Sequence, residues 1–174
     1  VAFVTVWLTE PRPGGPMDAS STSADGAHAL VALLRDEGVE VEVADTAADA
    51  ARLARADSLL LVAQTYYLYD SALLDELAKA PGDLLLVEPT SHTREALAPA
   101  VRTTATGSVG GEPKCDLREA TRAGSVWFGP SNTYEVSHDG TDATICYDGA
   151  LVRYRDAGRT VTVACAGCRG SGSG

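Results

Sequence analysis

Two short, wholly apolar runs joined by an amphipathic segment constrain the fold of this chain more than any other feature. They occupy residues 59–62 and 84–87, and neither contains a polar side chain. Strands with one face in water alternate apolar and polar residues, so continuous runs indicate strands that helices cover on both faces. Between the runs, leucines recur at helical spacing after a capping residue, Asp70 or Ser71. The pattern predicts a strand, a helix and a second, parallel strand.

The same alternation continues on both sides of this unit. Residues 27–34 carry apolar side chains at helical spacing, with Ser23 as the predicted cap. Residues 39–43 alternate valine with glutamate, as a strand near a sheet edge does. Further helices are predicted after Thr46 and after Thr90. The repeated alternation predicts an α/β fold with a doubly wound, mostly parallel sheet.

Past Val101 the pattern changes. Residues 103–114 are rich in glycine, threonine and serine and are predicted to form a loop, and residues 116–122 are predicted to form a short helix. Turn-forming residues then separate five strand candidates, at residues 125–128, 134–137, 144–147, 151–154 and 160–164. We therefore expect a C-terminal β-rich extension.

The length of 174 residues suits one domain with a substantial core. Residues 17–169 are assigned to this single α/β domain. Residues 1–16 form a leading segment that is either a first strand or the end of a membrane helix, followed by a proline-rich loop. Its mainly apolar stretch of eight residues, 1–8, is shorter than the roughly 20 apolar residues that a bilayer span needs. Residues 170–174, Gly-Ser-Gly-Ser-Gly, are typical of a linker or tag.

Charge is distributed unevenly along the chain. The formal net charge is −10, and residues 1–90 hold 15 acidic and 5 basic residues, whereas residues 91–174 hold 9 of each. An acidic surface repels nucleic-acid phosphates and anionic lipid headgroups, and we find no basic patch that would compensate. Nucleic acid and the membrane surface are therefore not expected as partners.

The four cysteines are Cys115, Cys146, Cys165 and Cys168, which allow three pairings if all are oxidised. Cys115 follows a Gly/Pro-rich loop and Cys146 lies in a strand-like run, which suits a long-range disulfide in an oxidising compartment. Cys165 and Cys168 have the spacing of a redox pair, but no helix follows that would activate the first thiol. A local disulfide or two free thiols are the simpler interpretations.

Several short motifs follow one another in a set order. They are Met-Asp-Ala-Ser-Ser-Thr-Ser at 17–23 leading to Gly26-Ala27 and the 30–38 helix, then residues 57–62, 83–89 and 97–99, and finally Gly-Arg-Thr-Val at 158–161. In this order they resemble a family of uncharacterised bacterial membrane-anchored proteins, over most of residues 17–164. The resemblance implies a class I glutamine-amidotransferase-like fold, which is a flavodoxin-like α/β sandwich. It also implies a position outside the membrane, with a transmembrane segment as tether in the full-length protein. It also implies one more helix after the strand ending near Ala164, and it implies no reaction.

The chemistry of an amidotransferase is missing from the sequence. Such enzymes carry a cysteine between glycines on a tight elbow, and the corresponding residues here, Gln64-Thr65-Tyr66, contain neither residue type. No Gly-x-Ser-x-Gly elbow and no phosphate-binding glycine loop occur. The three histidines, His28, His92 and His138, lack the spacing of a zinc site. We therefore expect a domain without catalytic activity.

Three of the six tyrosines, Tyr66, Tyr67 and Tyr69, follow the apolar run at 59–62. In open α/β sheets, ligands bind beyond the carboxyl ends of the strands, where this loop is expected to lie. One interpretation is packing, since tyrosine caps a core with its hydroxyl in water. The other is an aromatic wall for a small planar ligand, with a phenolate that binds ferric haem iron.

The loop after the next strand contributes two further candidates. It brings His92 and Arg94 to the same predicted edge. We expect His92 to ligate the iron opposite Tyr66 or Tyr67, or to hydrogen-bond the coordinated phenolate, and Arg94 to pair with a haem propionate. The alternative for His92 is a surface residue at a helix start.

Three functions follow from these residues. The first is an extracytoplasmic ligand-binding domain, periplasmic or at the cell surface, with haem as the candidate cofactor. The second is a structural or protein-interaction module of a cell-envelope complex, in which the tyrosines belong to the core and the acidic first half contacts a partner protein. The third is thiol-disulfide exchange at Cys165 and Cys168.

Overall fold

A seven-stranded mixed sheet is the centre of the computed structural model, which describes residues 4–8, 17–23, 26–63, 65–137 and 141–165. In chain order the elements are β1 (Val4–Leu8), α1 (His28–Asp36), β2 (Glu40–Ala44), α2 (Ala47–Leu53), β3 (Leu59–Val62), a 3-10 turn (Thr65–Tyr67), α3 (Ser71–Lys79), β4 (Asp83–Val87), α4 (Ser91–Leu97), β5 (Val101–Gly111), α5 (Arg118–Ala123), β6 (Val126–Val136), β7 (Ala143–Cys146), a 3-10 turn (Tyr147–Gly149), β8 (Leu151–Asp156) and β9 (Arg159–Ala164).

The strand order of the sheet is β2-β1-β3-β4-β9-β8-β7. The first five strands in this order run parallel, and β8 pairs antiparallel with β9 and β7. The predicted mixed α/β fold is therefore confirmed, with β2 at an edge as its alternating valines and glutamates indicated. The last strand, β9, lies between β4 and β8, so the C-terminal strands extend the main sheet.

The part of the leading segment that the structure describes is a strand. Residues Val4–Leu8 pair with β2 on one side and with β3 on the other. Of the two interpretations of residues 1–16, the strand therefore holds for these five residues, which lie inside the sheet. The predicted proline-rich loop and the predicted tag fall outside the described residues.

Helices pack against both faces of the sheet. Side chains of α2, α3 and α4 pack on one face, against β-strand residues that include Leu60, Leu84 and Val163. On the opposite face, Val31 of α1 packs against Leu61. Because successive strand residues point to opposite faces, the continuous apolar runs supply both cores at once.

Helix starts follow the predicted caps in three cases. The Thr46, Asp70 and Thr90 side chains accept hydrogen bonds from the backbone of their own first turns, and these bonds satisfy amide groups that lack helical partners. The prediction of Ser23 as the cap of α1 is wrong. That helix begins at His28, and the Ser23 carbonyl instead accepts from the Gly26 amide at 2.9 Å in a preceding turn.

Residues 103–114 differ from the prediction, because most of them belong to β5 and not to a loop. β5 pairs antiparallel with the equally long β6 in a separate two-stranded ribbon. Threonines favour this strand, whereas its glycines obscured the pattern. Position 110 requires a glycine, because a Cβ there would lie 2.6 Å from the Val126 carbonyl oxygen. The two candidate strands at 125–128 and 134–137 are parts of β6.

The far end of the ribbon is attached to the main sheet by a disulfide. Cys115 and Cys146 are bonded to each other, with their Cα atoms 5.3 Å apart. Beside this bond the Lys114 ammonium lies 2.8 Å from the Asp148 carboxylate, and the Tyr147 amide donates to the Pro113 carbonyl at 2.8 Å. The bond therefore joins the segment between β5 and α5 to β7.

Candidate functional site

The chain changes direction across the sheet between β1 and β3. From β1 it passes to β2 on one side, and from β3 it passes to β4 on the other. At such a reversal the loops that leave the two carboxyl ends diverge and open a crevice, which is the usual place for a ligand in an open α/β sheet. The tyrosine loop leaves β3 at this point. The loop that leaves β1 falls outside the described residues.

The tyrosine loop places two of its aromatic rings in solvent. Tyr66 lies in the 3-10 turn and is 51% exposed, and Tyr69, next to the α3 cap, is 77% exposed. Tyr67 is partly buried. Tyr66 and Tyr69 are therefore surface residues in this structure, in contrast with the interpretation that assigns the tyrosines to the core.

One buried threonine fixes this loop to the loop after β4. Thr65 is only 1% exposed, and its hydroxyl accepts from the Thr90 amide at 2.8 Å and lies 3.3 Å from the Glu88 carbonyl oxygen, to which it donates. The Thr93 hydroxyl in turn donates to the Thr65 carbonyl at 3.5 Å. These bonds hold the two loops side by side at one edge, as the parallel strands predicted. Sequence reasoning missed Thr65, since a single threonine carries no distinctive signal.

His92 and Arg94 have different environments, although both lie on α4. His92 is exposed in the first turn, two residues after Thr90. Arg94 is 9% exposed, and its guanidinium donates to the Val101 carbonyl and lies 3.0 Å from the Glu95 carboxylate. The structure therefore places His92 at the edge that carries the tyrosines, whereas Arg94 is buried against the start of β5.

Glu88 joins the end of β4 to the rest of the edge in an unusual backbone conformation. Its φ is 47°, which is uncommon for a residue other than glycine. Its amide donates to the Ala164 carbonyl of β9 at 2.8 Å. Residues held in such conformations cluster at binding sites and switches, so Glu88 is an additional candidate at this edge. The sequence did not signal this conformation, because a residue before a proline normally favours extended backbone with negative φ.

The environment of Cys165 keeps its thiol protonated. The residue is 5% exposed, and burial raises the pKa of the thiol to about 11. A hydrogen bond with the Ser131 side chain opposes the rise, and the negative charge of Glu88 adds to it. Burial likewise raises the pKa of Tyr134, and the negative charges of Cys165 and Glu88 raise it further. Cys168, the other half of the predicted pair, lies outside the described residues.

Two negative findings apply to the described part of the chain. No group of three or more histidine, cysteine, aspartate or glutamate side chains is arranged to hold a metal ion there. No helix within the same residues is long and apolar enough to cross a bilayer.

The fold and the edge together define a class: a mixed α/β domain that presents aromatic side chains beyond the carboxyl ends of its parallel strands. The chain belongs to the family described as "Domain of unknown function (DUF4350)", whose model matches residues 19–173. It is 60% identical over 163 residues to an uncharacterised membrane protein of Mycobacterium tuberculosis. That match covers 94% of this chain and 42% of the relative, so the chain spans less than half of the relative's length.

Proposed function

We propose that this domain is a non-catalytic, extracytoplasmic binding domain that captures a planar ligand at the tyrosine edge. The observation that carries the proposal is the exposure of Tyr66 (51%) and Tyr69 (77%) at the carboxyl end of β3, beside the reversal of the chain. Large aromatic rings bury much apolar area when a ligand covers them, and they offer flat faces for stacking. The strand order and the helices on both faces support the doubly wound, amidotransferase-like architecture that the motif order implied.

Haem is the candidate ligand to test first. Phenolate ligation of haem iron has precedent in proteins, and the exposed Tyr66 and the neighbouring Tyr67 can supply a phenolate at this edge, while His92 can supply an imidazole. Arg94 contacts the Val101 carbonyl and the exposed Glu95 carboxylate, so pairing with a propionate would require the guanidinium to exchange Glu95 for the ligand.

A hemin titration followed by absorbance tests the proposal. We expect a saturable, shifted Soret band. Tyr66→Phe or Tyr67→Phe should alter the band if that phenolate ligates iron, whereas Tyr69→Ser should weaken binding by removing a stacking surface. Tyr154→Phe is the matched control, since Tyr154 is 3% exposed in β8. A spectrum identical to free hemin would refute haem binding, and titration with an iron-free porphyrin would then decide whether planar aromatic ligands bind at all.

The proposed location outside the cytoplasm has two supports. The relative from Mycobacterium tuberculosis is named a membrane protein, and the Cys115–Cys146 disulfide is of the kind that persists in oxidising compartments. Cytosolic reductants keep most thiols reduced, so a disulfide that closes a long loop favours secretion or export of this domain.

A protein-interaction module is the second candidate, and one observation favours it. Leu30 and Leu33 on α1 are 41% and 57% exposed, on the outer side of a helix within the acidic half of the chain. Neighbouring exposed leucines are typical of contact surfaces. If this candidate is correct, Leu33→Asp should abolish a specific complex that Tyr69→Ser leaves intact, as measured by co-purification from membranes. The reverse pattern would favour the tyrosine edge.

Thiol-disulfide exchange remains the third candidate and has the least support. The attacking species is a thiolate, and at neutral pH a buried thiol with a pKa of about 11 is almost entirely protonated. An insulin-reduction assay decides the matter, because activity that disappears in Cys165→Ser would restore this candidate.

A further inference from the structure

A concave cleft lies on the α1 face of the sheet, away from the tyrosine edge. Its volume is about 300 Å³, the lower end of the range of roughly 300–1,000 Å³ that small-molecule pockets occupy. Its floor includes Leu59, Leu85 and Thr162, whose side chains share the face that α1 packs against through Leu61. Leu59 begins β3, whereas the tyrosines follow its end, so the two sites are distinct.

The walls of the cleft are apolar and only partly covered. Leu117 precedes α5, Phe128 lies on β6 and Leu151 on β8, and all three are partly buried although they line the opening. The wall on the α5 side is fixed in place, because the Tyr147 hydroxyl lies 3.0 Å from the carbonyl oxygens of both Ala120 and Gly124. Solvent therefore meets a preformed concave surface of aliphatic and aromatic side chains.

A single cation lines this cleft among the residues that the structure describes. Arg153 of β8 is about one-third exposed; its Nε donates to the Thr162 hydroxyl at 3.3 Å, and one terminal nitrogen lies 3.3 Å from the Glu119 carboxylate. Glu119 is 66% exposed at the rim. The bond to Thr162 orients the guanidinium, whose planar fork matches a carboxylate. An exposed partner such as Glu119 is readily exchanged for a ligand carboxylate, since surface ion pairs contribute little.

We propose that this cleft binds a linear aliphatic carboxylate, with its alkyl chain along Leu85, Phe128 and Leu151 and its carboxylate on Arg153. The guanidinium selects this ligand class, because Arg153 is the one cation among the described residues that line the otherwise largely apolar cleft. The binding does not depend on the tyrosine edge, so either proposal can fail without the other.

Calorimetric titration with decanoate, below its micellar concentration, tests the proposal. We expect saturable binding that Ala123→Trp abolishes, since Ala123 is an exposed residue that lines the cleft. Arg153→Gln should weaken binding by roughly tenfold, the equivalent of one charge-assisted hydrogen bond. The matched controls are Thr121→Trp on the same helix and Arg155→Gln on the same strand, both exposed and outside the lining, and both should bind as the wild type does.

Decanol, which has the same chain without the carboxylate, separates the possible outcomes. The proposal requires decanol to bind more weakly than decanoate, and equal affinities with no effect of Arg153→Gln would overturn the carboxylate assignment. Absence of saturable decanoate binding, or wild-type affinity in Ala123→Trp, would overturn the site itself. A dimer in sedimentation that Ala123→Trp dissociates would assign the cleft to a second copy of the chain and would also overturn the proposal.

Discussion

At the scale of single residues, the exposure of each side chain separates the candidates that the sequence placed together. Tyr66, Tyr69 and His92 are exposed at one edge, whereas Arg94 is turned into the protein. The sequence predicted that the two loops lie at the same edge of the sheet, because this position follows from strand direction alone. It did not predict the orientation of Arg94, because a helix residue points outwards or inwards according to tertiary contacts that no local pattern contains.

Cys165 leads to a prediction about alkaline pH. Its thiol has an ordinary pKa of 9.0 and a pKa of about 11 in the folded protein, so the folded state holds the proton more tightly. The resulting stability is fully present below pH 9 and is lost as pH rises to about 11. We expect the free energy of unfolding, measured with urea, to fall between pH 8 and pH 10.5. The fall should be larger in the wild type than in Cys165→Ala, by on the order of 2 kcal/mol. Equal losses in both proteins would contradict this environment for the thiol.

At the scale of elements, local signals predicted the helices better than the ribbon. Thr46, Asp70 and Thr90 cap their helices as expected, because a cap depends only on residues within one turn. The ribbon of β5 and β6 depends on pairing across a segment that contains α5. The glycines within residues 103–111 hide the strand signal that the threonines carry. A loop was therefore predicted where a long strand lies.

The disulfide at the end of the ribbon should contribute strongly to stability. Cys115 and Cys146 are 31 residues apart, and closing a loop of this length in the unfolded chain stabilises the fold by about 3–4 kcal/mol in the chain-entropy model. We expect the Cys115→Ser/Cys146→Ser double variant to lose this amount in urea unfolding. Dithiothreitol should destabilise the wild type similarly and leave the double variant unchanged. A loss below about 1 kcal/mol would mean that the reduced chain keeps the ribbon ordered.

At the scale of the whole molecule, the disulfide and the relative's name lead to a prediction about compartment. We expect the Cys115–Cys146 bond to be formed in cells that export the domain. Trapping with an alkylating reagent of high mass before and after reduction reports the bond, and the Cys165→Ser variant removes one competing thiol. Expression of the same chain in a reducing cytosol is the control and should show both thiols modified. A reduced pair in the exported protein would contradict the proposed location.

The position of β9 has a consequence for biosynthesis. β9 pairs with β4 on one side and with β8 on the other, yet among the described residues it is the last strand in chain order. When residues up to Asp156 have left the ribosome, β4 and β8 both lack their shared neighbour β9. The sheet then exists as two halves, each with an unpaired edge, and unpaired edges are templates for aggregation. Only β9 joins the two halves of the sheet. We therefore expect chaperones to stay bound longest to nascent chains that end just before residues 159–164.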